Sequence, residues 1–167
     1  MGFPHGAHTT EVKVYEAHRA IDDGAVELDM VVNIGKVLGD DWAYVEREIR
    51  EVVEVAHRRQ ALVKIIFENS YLKEDQIVRL CEICGDAKVD YMKTSTGYAS
   101  SGAKPEQIEL MRKSAPPSVK LKAAGGIRTL DSALLAVKLG CDRIGASKTA
   151  VILDELKVRL AKARTKH

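Results

Sequence analysis

Lys93 and Lys122 end two short runs, Val89–Lys93 (VDYMK) and Val119–Lys122 (VKLK), that otherwise read as buried strand. A free lysine titrates near 10.4, so only about one in a thousand is neutral at pH 7.4. Lowering its pKa by about three units costs roughly 4 kcal/mol. A second cation nearby in a partly desolvated site is one way to supply that. The neutral amine then attacks a carbonyl carbon and forms an imine, an electron sink for breaking or making a carbon–carbon bond. Two rim lysines that snorkel to solvent would leave the same trace in the sequence.

A carboxylate stands in another apolar run, Glu27-Leu28-Asp29-Met30-Val31-Val32-Asn33. Burying Asp29 is costly unless a cation or hydrogen bonds compensate. Strand alternation puts it on one face and Leu28 and Met30 on the other. Facing Lys122, Asp29 can relay protons; otherwise it forms a structural salt bridge with an interior lysine.

Two glycine-bearing segments each follow a strand pattern and open a helical one. They are Gly125-Gly126-Ile127-Arg128-Thr129 and Gly145-Ala146-Ser147. Glycines let backbone N–H groups approach an anion, and helix N-termini add positive potential. A single such loop is ordinary turn chemistry; two in succession point to phosphate.

The elements that must position these residues alternate along the chain. Val26–Asn33, Ala61–Phe67, Val89–Lys93, Val119–Lys122 and Asp142–Gly145 read as strands. Helical spacing covers Thr10–Asp23, Trp42–Arg59 capped by Asp40 or Asp41, and Lys73–Ala87. It continues over Pro105–Lys113, over Thr129–Leu139 stopped by Gly140, and over Thr149–Ala163 with a basic tail. No linker divides them, so residues 1–167 form a single α/β domain with a mostly parallel sheet. Asp29, Asn33, Glu68, Lys93, Lys122, Gly125 and Gly145 lie at or near the C-terminal ends of several different strands. That is the habit of a (β/α)₈ barrel, whereas a doubly wound sheet gathers its ligands at one switch point. Five clear strands, with at most part of a sixth at Met1–Phe3, fall two to three short of the barrel's eight.

Composition narrows the classes. The 167 residues are 46% hydrophobic and 30% charged, enough for a buried core. A net charge of +2 and 5% aromatics give neither the field nor the stacking surface that nucleic acid requires. No apolar run approaches a membrane span, and the N-terminus lacks the order of a signal peptide. Three cysteines make no disulfide framework, so a reducing cytoplasm is the expected location. Cys81-Glu82-Ile83-Cys84 has metal or redox spacing but lies on a helical pattern without a second ligand pair, so core packing is the plainer account. His5 and His8 share a loop with no carboxylate or thiol beside them, and His18 and His57 fall on helical stretches as surface residues. No metal or cofactor is expected.

Several segments together resemble the deoxyribose-phosphate aldolases. They are Gly2-Phe3-Pro4-His5-Gly6 with Thr9-Thr10-Glu11-Val12-Lys13, then ELDMVVNIG (27–35), VKIIFEN (63–69), YMKTSTGY (91–98), KAAGGIRT (122–129) and RIGAS (143–147). The resemblance covers all but the C-terminal tail. It implies a TIM-type barrel and a metal-free, reversible aldol cleavage of 2-deoxy-D-ribose 5-phosphate to acetaldehyde and D-glyceraldehyde 3-phosphate. By motif, Lys93 forms the imine, Lys122 lowers its pKa, and Asp29 shares proton transfer with Lys122. Gly97, Gly125, Gly126, Arg128, Gly145 and Ser147 would surround the phosphate, largely through backbone N–H groups.

The chain departs from the family in length. Members carry a longer N-terminal portion, so the barrel here is expected to lack the first two strands and most of the third. An aspartate that the family places on its first strand has no counterpart. Tyr98 follows Gly97, and Lys148 follows Ser147 where the family has a small or hydroxyl residue. An opened barrel exposes two edges and an apolar interior, which predicts a homo-oligomer. A truncated, catalytically impaired domain that keeps phosphate binding or serves assembly is the alternative function. Another phosphate-binding barrel, an epimerase or isomerase, has no need of KTSTG with KAAGGIRT.

Overall fold

Each of the five apolar runs becomes a strand: β1 (Glu27–Val31), β2 (Leu62–Ile66), β3 (Tyr91–Lys93), β4 (Lys120–Ala124) and β5 (Arg143–Gly145). The computed structural model describes residues 1–164, and the end of the basic tail lies outside them. All four neighbouring pairs are parallel, and the spatial order is the chain order. A doubly wound sheet would reverse its strand order at a switch point, and this one does not, so this is the arrangement of a (β/α)₈ barrel, present here as a five-strand arc.

Helices return the chain between strands. They are α1 (Thr10–Asp22), α2 (Ile34–Leu38), α3 (Trp42–Arg58), α4 (Glu74–Asp86), α5 (Pro105–Ser114), α6 (Leu130–Lys138) and α7 (Thr149–Arg164). Asp41 caps α3 by accepting the Tyr44 N–H, and Thr129 caps α6 by accepting that of Ser132. The sequence pattern gives no sign of α2. Asn33, expected to end a strand, instead caps that short helix by accepting the Lys36 N–H. Nor do Met1–Phe3 make a sixth strand; the Met1 carbonyl accepts one bond, from the Val31 N–H at 3.1 Å.

Leu28 and Met30 pack into the core with Val45, Ile49, Val52 and Ala56 of α3, while Asp29 between them points the other way. Cys81, Cys84 and Cys141 are buried in the same core, and burial pushes the Cys81 thiol up to about 12. They are packing residues. His18 and His57 are exposed, as expected.

Among the described residues, one ion pair lies wholly inside. Lys13 of α1 reaches Glu48 of α3 at 2.8 Å and the Val31 carbonyl at 2.8 Å, with both side chains fully buried. Burial pushes the lysine's pKa down and the glutamate's up, and each opposes this in its partner. This pair fixes two helices to the C-terminal end of β1.

Candidate active site

Parallel register decides which strand-end residues meet. Lys93 and Lys122 are direct partners across β3 and β4, Asp29 is opposite Lys64 across β1 and β2, and Lys122 is opposite Arg143. The curl of the sheet then brings β1 across to β3. Lys93 Nζ donates to Asp29 Oδ2 at 2.7 Å, and Lys122 Nζ lies 3.7 Å from the same oxygen. The three residues expected to carry the chemistry are together.

Lys64, which the sequence reading passed over, completes the cluster. It is almost wholly buried, with Nζ 3.1 Å from Asp29 Oδ1 and 2.6 Å from Glu27 Oε2. Arg143 grips Glu27 at 2.5 and 2.8 Å, so charges of alternating sign run from β5 through β1 and β2 to Asp29. The ring of Tyr91 lies below, with the Arg143 guanidinium 4.5 Å from its centroid. The signal for Lys64 was present: a cation inside ALVKIIF is as anomalous as a carboxylate inside ELDMVV.

Charge follows geometry. Burial opposes ionisation of Asp29, yet its hydrogen bond and charge interactions with Lys93, then Lys122 and Lys64, hold the carboxyl down at about 2. Glu27 is also held at about 2, by hydrogen bonds from Arg143 and Lys64. Burial lowers the pKa of Lys122 below the usual lysine range; Asp29 works against this, and the charges of Lys93 and Lys64 add to it.

A cavity of about 340 Å³ opens above the cluster. Lys93 and Lys122 line it together with Gly97, Gly125, Gly126, Arg128, Gly145 and Ser147. All six expected anion-binding residues therefore lie around one space. Asp29 is not on its wall but is bonded to Lys93, which is. Lys148 is exposed and off the wall as well.

The loops of this wall are tied together. Thr94 Oγ1 donates to the Ala124 carbonyl at 3.0 Å and accepts the Ala124 N–H at 3.1 Å, clamping β3 to β4. Ala103 N–H reaches the carbonyls of Ala124 and Gly125. Gly102 and Gly125 touch backbone to backbone, where a Cβ on Gly125 would stand 2.9 Å from Gly102 Cα. The KTSTG and KAAGGIRT segments thus form one cradle, with α6 beginning just beyond it. Among the described residues, no three His, Cys, Asp or Glu side chains group as a metal site. No helix among them is long and apolar enough to cross a membrane.

Comparison with known proteins agrees with this geometry. The sequence profile of the DeoC/LacD family aldolases matches residues 1–147. A deoxyribose-phosphate aldolase of Rhodopirellula baltica is 50% identical over 160 residues, covering 96% of this chain and 66% of the relative. One from Thermococcus kodakarensis is 51% identical over 154 residues, covering 92% and 69%. The chain thus spans about two thirds of the length of the curated relatives it matches. Among solved structures, a deoxyribose phosphate aldolase of Aeropyrum pernix, described as tetrameric, superposes with a TM-score of 0.85 at 35% identity. That match covers 94% of this chain and 66% of the other. The chain belongs to the DeoC/LacD family of aldolases, among the deoxyribose-phosphate aldolases.

Proposed function

We propose that the chain cleaves 2-deoxy-D-ribose 5-phosphate reversibly to acetaldehyde and D-glyceraldehyde 3-phosphate through an imine on Lys93. The carrying observation is that Lys93, bonded to Asp29 and beside Lys122, lines one cavity with the residues of the glycine cradle. The neutral amine adds to the C1 aldehyde of the open-chain sugar, and loss of water leaves the iminium. Proton loss from the C3 hydroxyl breaks the C2–C3 bond, whose electron pair passes into the iminium to give the enamine. D-Glyceraldehyde 3-phosphate leaves. Protonation at C2 and hydrolysis then free acetaldehyde and Lys93.

Lys122 supplies the second cation beside the nucleophile, and burial lowers its pKa below the usual lysine range, which eases proton transfer from it. Asp29, ionised and bonded to Lys93, orients the amine and shares protons with Lys122. Gly97, Gly125, Gly126, Gly145 and Ser147 hold the phosphate through backbone N–H groups, and Arg128 adds charge. The joint presence of Lys93, Lys122 and Asp29 favours turnover over a role in binding or assembly alone. The same reading makes the chain a cytoplasmic lyase of deoxyribonucleotide breakdown, for which three unpaired buried thiols are suited. It also makes it a homo-oligomer. Val137 on α6 and Val151, Val158 and Leu160 on α7 are each more than half exposed, an apolar surface that association would cover.

Borohydride reduction in the presence of 2-deoxyribose 5-phosphate tests the chemistry. Mass spectrometry is expected to find the adduct on Lys93; an adduct elsewhere, or none, overturns the assignment.

A further inference from the structure

Glu68 is 1% exposed, and no cation among the described residues pairs with it. Its backbone is left-handed, at φ 56° and ψ 57°, a region that a residue with a Cβ adopts only at a cost. Such a residue persists only where its surroundings over-determine it, and such residues cluster at functional sites.

The pairing of β2 with β3 shows what the conformation does. The N–H groups of Phe67 and Asn69, two residues apart, reach the carbonyls of Lys93 and Thr94, one residue apart. Glu68 is the extra residue between them, a bulge in a parallel ladder that re-aims one side chain. Its carboxylate turns over the end of β3. Oε1 and Oε2 accept the Thr96 N–H at 3.3 and 3.2 Å, and Oε2 also accepts a hydrogen bond from Thr96 Oγ1. With its proton so committed, Thr96 Oγ1 accepts the Tyr98 N–H at 3.1 Å. These bonds close a turn around Gly97, whose φ of +94° a residue with a Cβ adopts only under strain. Thr96 and Gly97 both line the cavity.

We propose that Glu68 is a positioning residue for the anion end of the site. It holds the Thr96–Tyr98 turn so that Gly97 faces the phosphate, and thereby sets the preference for a phosphorylated over an unphosphorylated sugar. Its negative charge lies behind the turn and is taken up by the donors of Thr96. The inference rests on the aldolase reading above and concerns only the phosphate end, not the lysines.

The test compares wild type with Glu68→Gln, Glu68→Asn and Thr96→Val. Asparagine tolerates the left-handed backbone, so Glu68→Asn separates loss of the carboxylate's reach from loss of the fold. Thr96→Val breaks the contact from the other side. For each variant, KM for 2-deoxyribose 5-phosphate is expected to rise about ten-fold or more, while kcat changes less than about three-fold. The ratio of kcat/KM for the phosphorylated sugar to that for 2-deoxyribose falls with it, and inorganic phosphate, followed by ³¹P NMR titration, binds more weakly by a similar factor. The double variant Glu68→Asn/Thr96→Val is expected to be no worse than the worse single one. Equal loss on both sugars, or phosphate binding unchanged or tighter, overturns the proposal. If wild type forms no imine, the aldolase reading fails, and the phosphate titration still decides the role of Glu68.

Discussion

Lys93 Nζ and Asp29 Oδ2 lie 2.7 Å apart although 64 residues separate them in the chain. Asp29 thereby becomes the hub of the site, touching Lys93, Lys122 and Lys64 with two oxygens. A carboxylate shared among three lysines is acid-sensitive, and under the proposed function it also moves protons.

Asp29→Asn is expected to lower kcat/KM by about 10²–10⁴-fold, the range for loss of a group that moves protons. It should also change the response to acid. The Asp29 carboxyl sits at about 2 in the folded protein, against an ordinary value of 3.8. Because the folded value is the lower, its contribution is present above about pH 4 and is lost as pH falls towards 2. Urea unfolding across that window should show the wild type's advantage over the variant shrinking as pH drops. A constant difference would count against the shared-carboxylate account.

Lys122→Met is expected to separate activity from stability. A cation that burial penalises is removed, and Asp29 keeps Lys93 and Lys64 as partners. Turnover should fall by about 10²-fold or more while Tm stays level or rises by about 2–4 °C. The sign extends to alkaline pH. The folded pKa of Lys122 lies below the unfolded one, so in wild type this group's cost is relieved as pH rises through its folded pKa towards 10.5. The stability gap between variant and wild type should therefore narrow at high pH in thermal melts. A variant that melts well below wild type at pH 7 would show that Lys122 is a structural cation.

The Lys13–Glu48 pair predicts a strong non-additivity. Breaking it with Lys13→Met leaves a buried carboxylate without its cation and is expected to cost about 3–5 kcal/mol. Lys13→Met combined with Glu48→Leu replaces both charges with apolar groups and should recover most of that loss. Urea denaturation of the two single variants and the double one closes the cycle. Additive losses would mean the pair is not what holds α1 and α3 to β1.

Much of the site was legible because its signals are local contradictions: an ammonium at a strand end, a carboxylate in an apolar run, glycines where a helix begins. Lys93, Lys122 and Asp29 and the two glycine loops each break the pattern of their own segment, so the sequence alone determined which residues to suspect. It also determined the strands and most helices, since period-2 and period-3.6 burial and the caps Asp41 and Thr129 act within a few residues.

Tertiary structure decided the partnerships. Lys64 breaks its segment's pattern too, but its meaning depends on a register that sets it opposite Asp29 and on a curl that brings Arg143 to Glu27 across 116 residues. Such pairings are chosen by the closure of the sheet, to which no single segment refers. The left-handed turn at Glu68 was illegible for the same reason. Nothing in glutamate favours that conformation; the hydrogen bonds to Thr96, 28 residues away, and those of the flanking Phe67 and Asn69 N–H groups to the end of β3 hold it there.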